Sequence, residues 1–279
     1  MEHSDNRQGF LGSNHEEVLS SVRVAIIGAG GGGSHLAQQI AHVGFGNVYV
    51  FDPDRMTEPN RNRQIGMKEN DIEDHTWKVD IAERLMKGIR SSTNVIKIND
   101  RWQARAELLR ECHVVIGCLD SFSERDQLET TCRRYLLPLI DIGMDVFKIN
   151  DGYSISGQVI QSMPGHYCMR CLGFIRHELL AREAVQYGVA GAKPQVVWPN
   201  GVLASTAIGL AVQLFTPWHE KHVPVVFLEY DGNNGTLFTS SRLTELRLRG
   251  HVCTHFVSMN DLGDPFLTSQ FGGAISIKR

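Results

Sequence analysis

The sequence predicts an α/β fold in which a mostly parallel sheet carries helices on both faces, and three observations lead to it. Val22 to Ile27 is a short apolar run rich in β-branched residues, as in a buried parallel strand. Gly28 to Gly33 carries five glycines, which let the backbone turn sharply and approach a ligand closely. A helical apolar pattern follows, and Val48 to Phe51 forms the next strand before Asp52. This order is that of a Rossmann-like nucleotide-binding unit.

The glycine-rich loop has the spacing of a nucleotide fingerprint. Gly28, Gly30 and Gly33 satisfy G-x-G-x-x-G, which ordinarily indicates a dinucleotide and hydride transfer. Ser34 is expected to cap the following helix, whose unpaired amides favour a phosphate group. Asp52 follows at roughly the 20-residue spacing that lets a carboxylate reach a ribose hydroxyl.

The residues after Asp52 favour a triphosphate over a nicotinamide. The segment DPDRMTEPNRNRQ brings Asp54, Asn60, Arg63 and Gln64 close together in sequence. Arginine offers a fixed fork of donors to phosphate oxygens, and hydride transfer does not need this group. Two other interpretations stay open, namely a solvated polar loop and an NAD-dependent oxidoreductase that leaves these residues without a role.

Composition narrows the class of protein. The chain has 279 residues and a formal net charge of −3, without a long basic run, so nucleic acid is not the expected partner. We find no apolar stretch near the roughly 20 residues that span a bilayer, and no signal-peptide core at the N-terminus. With six cysteines and a nucleotide-site pattern, the expected compartment is the reducing cytoplasm, where C-x-x-C indicates metal or redox chemistry.

Apolar periodicity predicts further helices and strands of the same fold. Helices are expected in the second half of 69–90, at 123–137, at 174–186 and at 201–215. Strands are expected at 95–98, 113–117, 138–142, 153–161, 225–230, 237–240 and 243–249, the last four being antiparallel extensions of the sheet. We expect an N-terminal arm (1–21), a nucleotide-binding domain (22–165), and a zinc-binding and partner-binding region that continues the fold (166–279).

Asp120 ends the strand that precedes the helix at 123–137. Ligands of α/β sheets bind at the carboxyl ends of the strands, so this carboxylate is well placed to hold magnesium beside a phosphate. The alternative is a helix cap, a role that Ser121 or Ser123 could equally fill.

Two short motifs contain candidate metal ligands. Cys168 and Cys171 have the C-x-x-C spacing that presents two thiolates to one tetrahedral zinc ion. Far downstream, RGHVCTHF offers His251, Cys253 and His255. A Cys₃His site built from Cys253 and one histidine, with His255 preferred, is chemically sound. A pair of thiols without zinc and a degenerate site remain alternatives.

Taken together, these motifs resemble the ubiquitin-activating-enzyme-like superfamily of ThiF/MoeB/HesA adenylyltransferases. The resemblance includes G-x-G-G-x-G, D-x-D and N-x-x-R-Q, and it continues through nearly the whole chain. The further matching positions are the N-terminal R-Q pair, Lys78, Leu119–Asp120–Ser121, Gly157–Gln158 and CMRC. The chain departs from the family pattern in one respect, because the second C-x-x-C that commonly closes the zinc site is missing.

The resemblance implies an activity and a role for each matching residue. Members use ATP and Mg²⁺ to adenylate the C-terminal carboxylate of a ubiquitin-like protein that ends in glycine. It implies catalytic roles for Arg63, Lys78 and Asp120, and for Arg7, which would reach the ATP phosphates of the other subunit of a homodimer. The remaining implied ATP-binding residues are Gly28, Gly30, Gly31, Gly33, Asp52, Asp54, Asn60, Gln64 and Ser121.

The acceptor and the later steps stay open at the sequence level. Relatives that act on a peptide end or on a modified transfer RNA are alternatives, whereas a non-catalytic subunit would be expected to have lost its phosphate ligands. Members that pass the product to a conjugating enzyme carry a nucleophilic cysteine in the segment corresponding to Gly188–Asn200, and this chain has none there. A cysteine replaced by alanine at Ala190 or Ala192 is a second explanation of that gap.

Overall fold

The structure is a computed structural model that describes residues 7–186, 194–219 and 223–256. Its strands, in chain order, are β1 (Arg23–Ile27), β2 (Asn47–Phe51), β3 (Asn94–Ile98), β4 (Val114–Gly117), β5 (Leu139–Ile149), β6 (Gly152–Ser162), β7 (Val226–Asp231) and β8 (Thr236–Thr239). They form one sheet in the order β3-β2-β1-β4-β5-β6-β7-β8. The first five are parallel and the last three are added antiparallel, as the sequence predicts.

The helices cover both faces of this sheet. The α-helices are α1 (His15–Ser21), α2 (Gly31–Val43), α3 (Asn70–Glu73), α4 (Lys78–Ile89), α5 (Phe122–Arg134), α6 (His177–Gln186), α7 (Val197–Phe215) and α8 (Ser241–Leu248). Short 3₁₀ segments lie at Gly9–Leu11, Glu58–Asn60 and Trp102–Glu111.

Two hydrophobic cores lie on opposite faces because the buried strands are apolar on both sides. One core joins the sheet to α2, α4 and α7, and contains Phe45 and Met86. The other joins it to the 102–111 segment, α5 and the loop after β6, and contains Leu109 and Leu128. The division at residue 165 that the sequence predicts falls after β6, while β7 and β8 complete the same sheet.

The strand order places the candidate site. The chain runs outward from β1 to β2 and β3, then returns to add β4 on the other side of β1. Parallel sheets bind ligands at the carboxyl ends of the two strands where the direction reverses. The glycine loop follows β1 and Asp120 follows β4, so both lie at this point.

Two predicted details are wrong. Ser34 does not cap α2, which begins at Gly31; its buried hydroxyl donates to Gly31 O (2.9 Å) and accepts from Ile65 N (3.0 Å). The predicted strand at 243–249 is the helix α8, in which Leu243 and Leu246 face the core at a spacing of three residues.

The expectation that the chain lacks a membrane-length apolar segment needs correction too. Among the described residues, α7 has the length and composition to cross a membrane, with 19 residues and a mean hydropathy of 1.2. Its buried side packs on α2, β5 and β6. A core helix passes the same test of length and composition, so this finding is weak support for a membrane span.

Candidate nucleotide site and cysteine cluster

The segment from the end of β1 through the first turn of α2 requires glycine at two positions. Gly28 has a φ of +91°, a conformation that other residues rarely adopt. A Cβ on Gly33 would lie 1.9 Å from the carbonyl oxygen of Gly28. This close approach brings the first turn of α2 against the end of β1, so its unpaired amides face the space above the sheet. An anion fits such a helix start.

Replacing Gly33 by alanine is expected to destabilise the fold, because the new Cβ would meet backbone that cannot move aside. We expect a loss of about 3 kcal/mol or more, which lowers the melting temperature by roughly 6–12 °C. Gly30→Ala is the matched control, because a Cβ at Gly30 meets nothing within 4 Å. This variant should melt like the parent chain. Equal melting temperatures for both variants would contradict the assigned geometry.

Asp52 is buried at the end of β2 and orders the glycine loop. Its carboxylate accepts hydrogen bonds from the backbone amides of Ala29 (2.6 Å) and Asp54 (2.8 Å). Burial raises the pKa of Asp52, although nearby Lys78 and the two amide donors act in the opposite direction. The carboxylate lines the cavity beside the glycine loop, where the sequence places a ribose-binding acid.

Lys78 begins α4 and is buried beside two carboxylates. Its Nζ lies 2.6 Å from Asp54 Oδ2 and 3.8 Å from Asp52 Oδ1. These contacts hold the ammonium group at the wall of the cavity that the glycine loop also lines.

Arg63 is a cation of this cavity that donates hydrogen bonds to uncharged acceptors. Its Nη1 donates to Pro59 O (2.5 Å) and Asn62 Oδ1 (3.2 Å), and among the described residues no carboxylate forms an ion pair with it. Burial lowers the pKa of Arg63. A phosphate would supply the negative charge that a half-buried guanidinium favours.

Asn60 lies next to Arg63 and closes the 3₁₀ turn before it. Its Oδ1 accepts bonds from the amide (3.0 Å) and hydroxyl (2.9 Å) of Thr57. The Nδ2 group is therefore the donor that Asn60 can offer to a ligand in the cavity.

Asp120 is exposed at the end of β4 and lines the same cavity. The sequence left two roles open for Asp120, a magnesium ligand or the cap of α5. The cap is Ser121, whose hydroxyl accepts a hydrogen bond from Glu124 N (3.1 Å). The carboxylate of Glu183 on α6 also accepts from the amides of Phe122 (3.0 Å) and Ser123 (2.8 Å). Asp120 therefore does not cap α5, and its carboxylate at the cavity is of the chemical type that Mg²⁺ prefers as a ligand.

These residues surround a cavity of about 870 Å³. The predicted site residues that line it are Gly28, Gly30, Gly31, Asp52, Asp54, Asn60, Arg63, Lys78 and Asp120. Three others lie outside it: Gly33 packs on Gly28, Ser121 caps α5, and Gln64 is buried beneath the loop, where its Nε2 donates to Ala29 O (2.9 Å). Gln64 therefore supports the loop from below. Arg7 is exposed and does not line this chain's cavity.

Sequence reasoning assigned no role to several residues that line the cavity. Asn200 approaches the glycine loop so closely that a Cβ on Gly31 would lie 2.6 Å from its Nδ2. Phe174, Trp77 and Arg125 also line the cavity. The only signal for Asn200 was a polar residue at the start of an apolar helix, and that pattern is common. Distant segments meet here, and local spacing does not report such contacts.

The structure brings the two predicted halves of the cysteine cluster together. The donor atoms of Cys168, Cys171, Cys253 and His255 all lie within 4.8 Å of one another. Cys168 Sγ is 3.6 Å from Cys171 Sγ and 3.8 Å from Cys253 Sγ, and His255 Nδ1 is 3.3 Å from the sulfurs of Cys168 and Cys171. A tetrahedral zinc ion with ordinary bond lengths separates its ligands by about 3.6–3.8 Å. The three thiols and one imidazole therefore fit zinc.

His251, the less favoured histidine, lies at the edge of this cluster. Its Nε2 is 3.4 Å from Cys171 Sγ. His255 contacts two of the sulfurs and His251 contacts one, so the geometry favours His255 as the fourth ligand.

Buried charges of α5 hold the C-x-x-C loop in place. Glu129 accepts from Met169 N (2.9 Å) and from Ser162 Oγ (2.5 Å). Arg133 donates to the carbonyls of His166 (3.0 Å) and Tyr167 (2.8 Å). The loop is thus ordered by hydrogen bonds as well as by any metal that the cysteines bind.

Ala190 and Ala192, where a nucleophilic cysteine was considered, lie outside the described residues. The cysteines outside the cluster do not look like nucleophiles. Burial raises the pKa of Cys112 to about 12, and it also raises the pKa values of Cys118 and Cys132. Such thiols remain protonated and unreactive at neutral pH.

The fold and the site define a class: an α/β protein with a cavity suited to a nucleotide at the switch point of its sheet, and with a separate four-donor cysteine–histidine cluster. The sequence pattern of the ThiF family matches residues 3–252. The chain belongs to the ThiF family.

Comparisons with individual proteins agree with this assignment. The chain is 29% identical over 164 residues to the SAMP-activating enzyme E1 of Haloferax volcanii (58% of this chain, 57% of that protein). It is 28% identical over 203 residues to the molybdopterin-synthase adenylyltransferase of Escherichia coli (71% and 75%). A crystal structure of Escherichia coli MccB with succinimide superposes with a TM-score of 0.64 at 18% identity, covering 82% of this chain and 66% of that one. The chain thus spans little more than half of the Haloferax enzyme.

Proposed function

We propose that this protein is an ATP-dependent adenylyltransferase that activates the C-terminal carboxylate of a ubiquitin-like protein. The observation that carries the proposal is the cavity in which Arg63, Lys78 and the start of α2 converge. A triphosphate there would meet two cationic side chains and the unpaired amides of the helix. Family membership and the named activities of the relatives support the same reaction.

In the proposed reaction an oxygen of the acceptor carboxylate attacks the α-phosphorus of ATP. An acyl–phosphate bond forms, the bond between the α-phosphorus and its bridging oxygen breaks, and pyrophosphate leaves. A carboxylate is already ionised at neutral pH, so this step needs no strong base. Catalysis comes from positioning and from stabilising charge on the phosphates.

Each residue has a role in this scheme. The ribose binds Asp52, while Asn60, Arg63 and Lys78 bind the phosphates. Asp120 would hold Mg²⁺, for which a carboxylate oxygen beside phosphate oxygens is a suitable ligand set. When bound, the ion neutralises charge on the leaving pyrophosphate. In a homodimer, Arg7 would add a further cation from the second subunit.

The four-donor cluster would bind structural zinc. Three thiolates and one imidazole saturate a tetrahedral ion, so the site has no open position for catalysis. Its proposed task is to join the C-x-x-C loop after β6 to the segment that follows α8.

The acceptor is proposed to be a ubiquitin-like protein that ends in glycine, as the family resemblance implies. A protein acceptor is supported by relatives that are named as activating SAMP or Nedd8, or as adenylating the sulfur carrier protein ThiS. A peptide end or a modified transfer RNA would use the same chemistry. Transfer of the product to an enzyme thiol, and from there to a conjugating enzyme, would require a cysteine that the chain lacks at 188–200.

ATP–pyrophosphate exchange tests the proposal directly. We expect Mg²⁺-dependent incorporation of labelled pyrophosphate into ATP when candidate proteins ending in Gly-Gly are added, and background exchange with the same proteins lacking the last two residues. If no carboxylate acceptor supported pyrophosphate exchange, and the chain bound NADH tightly without a metal, the protein would instead be an NAD-dependent oxidoreductase.

A further inference from the structure

Arg125 is a buried cation of the cavity to which the proposed chemistry assigns no role. It lies on the first turns of α5, and 7% of its surface is exposed. Its Nη1 donates to Asp141 Oδ2 (2.6 Å) on β5, and both side chains of this ion pair are almost completely buried. Such a pair is costly to desolvate, so its guanidinium needs further partners.

Those partners connect two separate segments of backbone. Nη2 donates to the carbonyl oxygen of Leu119, the residue before Asp120, and to Ile142 O on β5 (3.5 Å). The side-chain amide of Gln158 is oriented so that its oxygen accepts from Arg125 Nη1. Its nitrogen then donates to Gly143 O (3.1 Å).

The surroundings leave the guanidinium little freedom. A Cβ on Gly143 would lie 2.1 Å from Nη2, so glycine at 143 lets the side chain lie directly against β5. The ring of Phe174, whose centroid is 5.6 Å from Cζ, covers it from the cysteine loop. With its Nη groups bonded to protein acceptors, Arg125 is suited to fix other groups and poorly suited to bind a ligand itself.

We infer that Arg125 is a positioning residue for Asp120. The bond to Leu119 O fixes the peptide plane that leads into Asp120, and the cap of Ser121 fixes the chain on the other side. This inference rests on the proposed function, in which Asp120 holds Mg²⁺ beside the phosphates of ATP. Residues that orient a metal ligand through such contacts typically change metal affinity about 10–100-fold when replaced.

Arg125→Lys tests this role, because lysine keeps the charge near Asp141 but loses the fork that reaches Leu119 O. We expect the Mg²⁺ concentration for half-maximal exchange to rise about 10–100-fold. The binding of Mn²⁺ in the presence of a non-hydrolysable ATP analogue, measured by electron paramagnetic resonance, should weaken by the same factor. The KM for ATP at saturating Mg²⁺ should change much less.

Arg84→Lys is the matched control. Arg84 makes a two-pronged ion pair with Asp71 (2.9 and 2.6 Å). Like Arg125, it also donates to a backbone carbonyl, Gly66 O (3.0 Å), but it does not line the cavity. The Arg84→Lys variant should have a lower melting temperature than the parent chain and the same affinity for Mn²⁺. If Arg125→Lys does not fold, Asp141→Asn removes the anchoring charge with little change of shape and should shift Mn²⁺ affinity in the same direction.

The possible results separate the inference from the function on which it rests. Unchanged Mn²⁺ affinity in a folded Arg125→Lys or Asp141→Asn chain that still exchanges pyrophosphate would refute the positioning role and leave the adenylation proposal standing. A parent chain that shows neither exchange nor nucleotide-dependent Mn²⁺ binding would overturn both.

Discussion

Arg63→Ala is expected to lower the rate of ATP–pyrophosphate exchange by a factor of about 10²–10³. The guanidinium forms no ion pair with a described carboxylate, so its charge is available to the phosphates. Removing one such preorganised group costs about 2.7–4 kcal/mol of transition-state stabilisation in comparable sites. The melting temperature should change little, because Arg63 is half-exposed.

Arg61→Ala is the natural control for this experiment. Arg61 lies two positions away and is exposed, and it pairs with Glu58 (2.7 Å) and Glu69 (3.4 Å) outside the cavity. Its loss should leave exchange close to the parent rate. If the two variants exchanged pyrophosphate equally well, Arg63 would not have the role assigned to it.

Cys168→Ala is expected to abolish zinc binding and to destabilise the fold. Elemental analysis should give about one zinc per parent chain and almost none for the variant. Because metal binding is coupled to folding, we expect a loss on the order of 5 kcal/mol, which lowers the melting temperature by roughly 10–20 °C.

Cys132→Ala controls for the loss of a buried thiol. Cys132 and Cys168 are both completely buried, but Cys132 belongs to the α5 side of the core and lies outside the cluster. Its replacement should keep the zinc and cost only about 1 kcal/mol. The structural role of zinc would be contradicted by a parent chain that is purified without chelators, contains no zinc, and melts at the same temperature as that chain loaded with zinc.

Much of this fold was predictable from the sequence because its signals are local. β1, the glycine loop, α2 and β2 follow one another in the sequence, and they are encoded by an apolar run, a cluster of glycines, a helical apolar pattern and a second apolar run. The start of α2 was less predictable, because a serine after glycines is typical of a cap. In the structure Gly33 packs closely on Gly28, and α2 begins at Gly31, before the serine that was expected to cap it.

The candidate site divides in the same way. Asp52, Arg63 and Asp120 directly follow strands or belong to a motif, so spacing was sufficient to find them. Arg125 and Asn200 reach the cavity from α5 and α7, and no pattern of neighbouring residues reports that convergence. The cysteine cluster is an intermediate case. Its C-x-x-C half was visible in the sequence, which also favoured His255 over His251, and the distances to the sulfurs support that preference.

The central claim is that this cavity binds three linked phosphates and a divalent ion. Crystals soaked with ATP and Mg²⁺ test it most directly. We predict a triphosphate within hydrogen-bonding distance of the Arg63 guanidinium and the first amides of α2, with the ion beside Asp120. A triphosphate directed away from Arg63, or a cavity that takes NADH and leaves ATP in solution, would contradict the account.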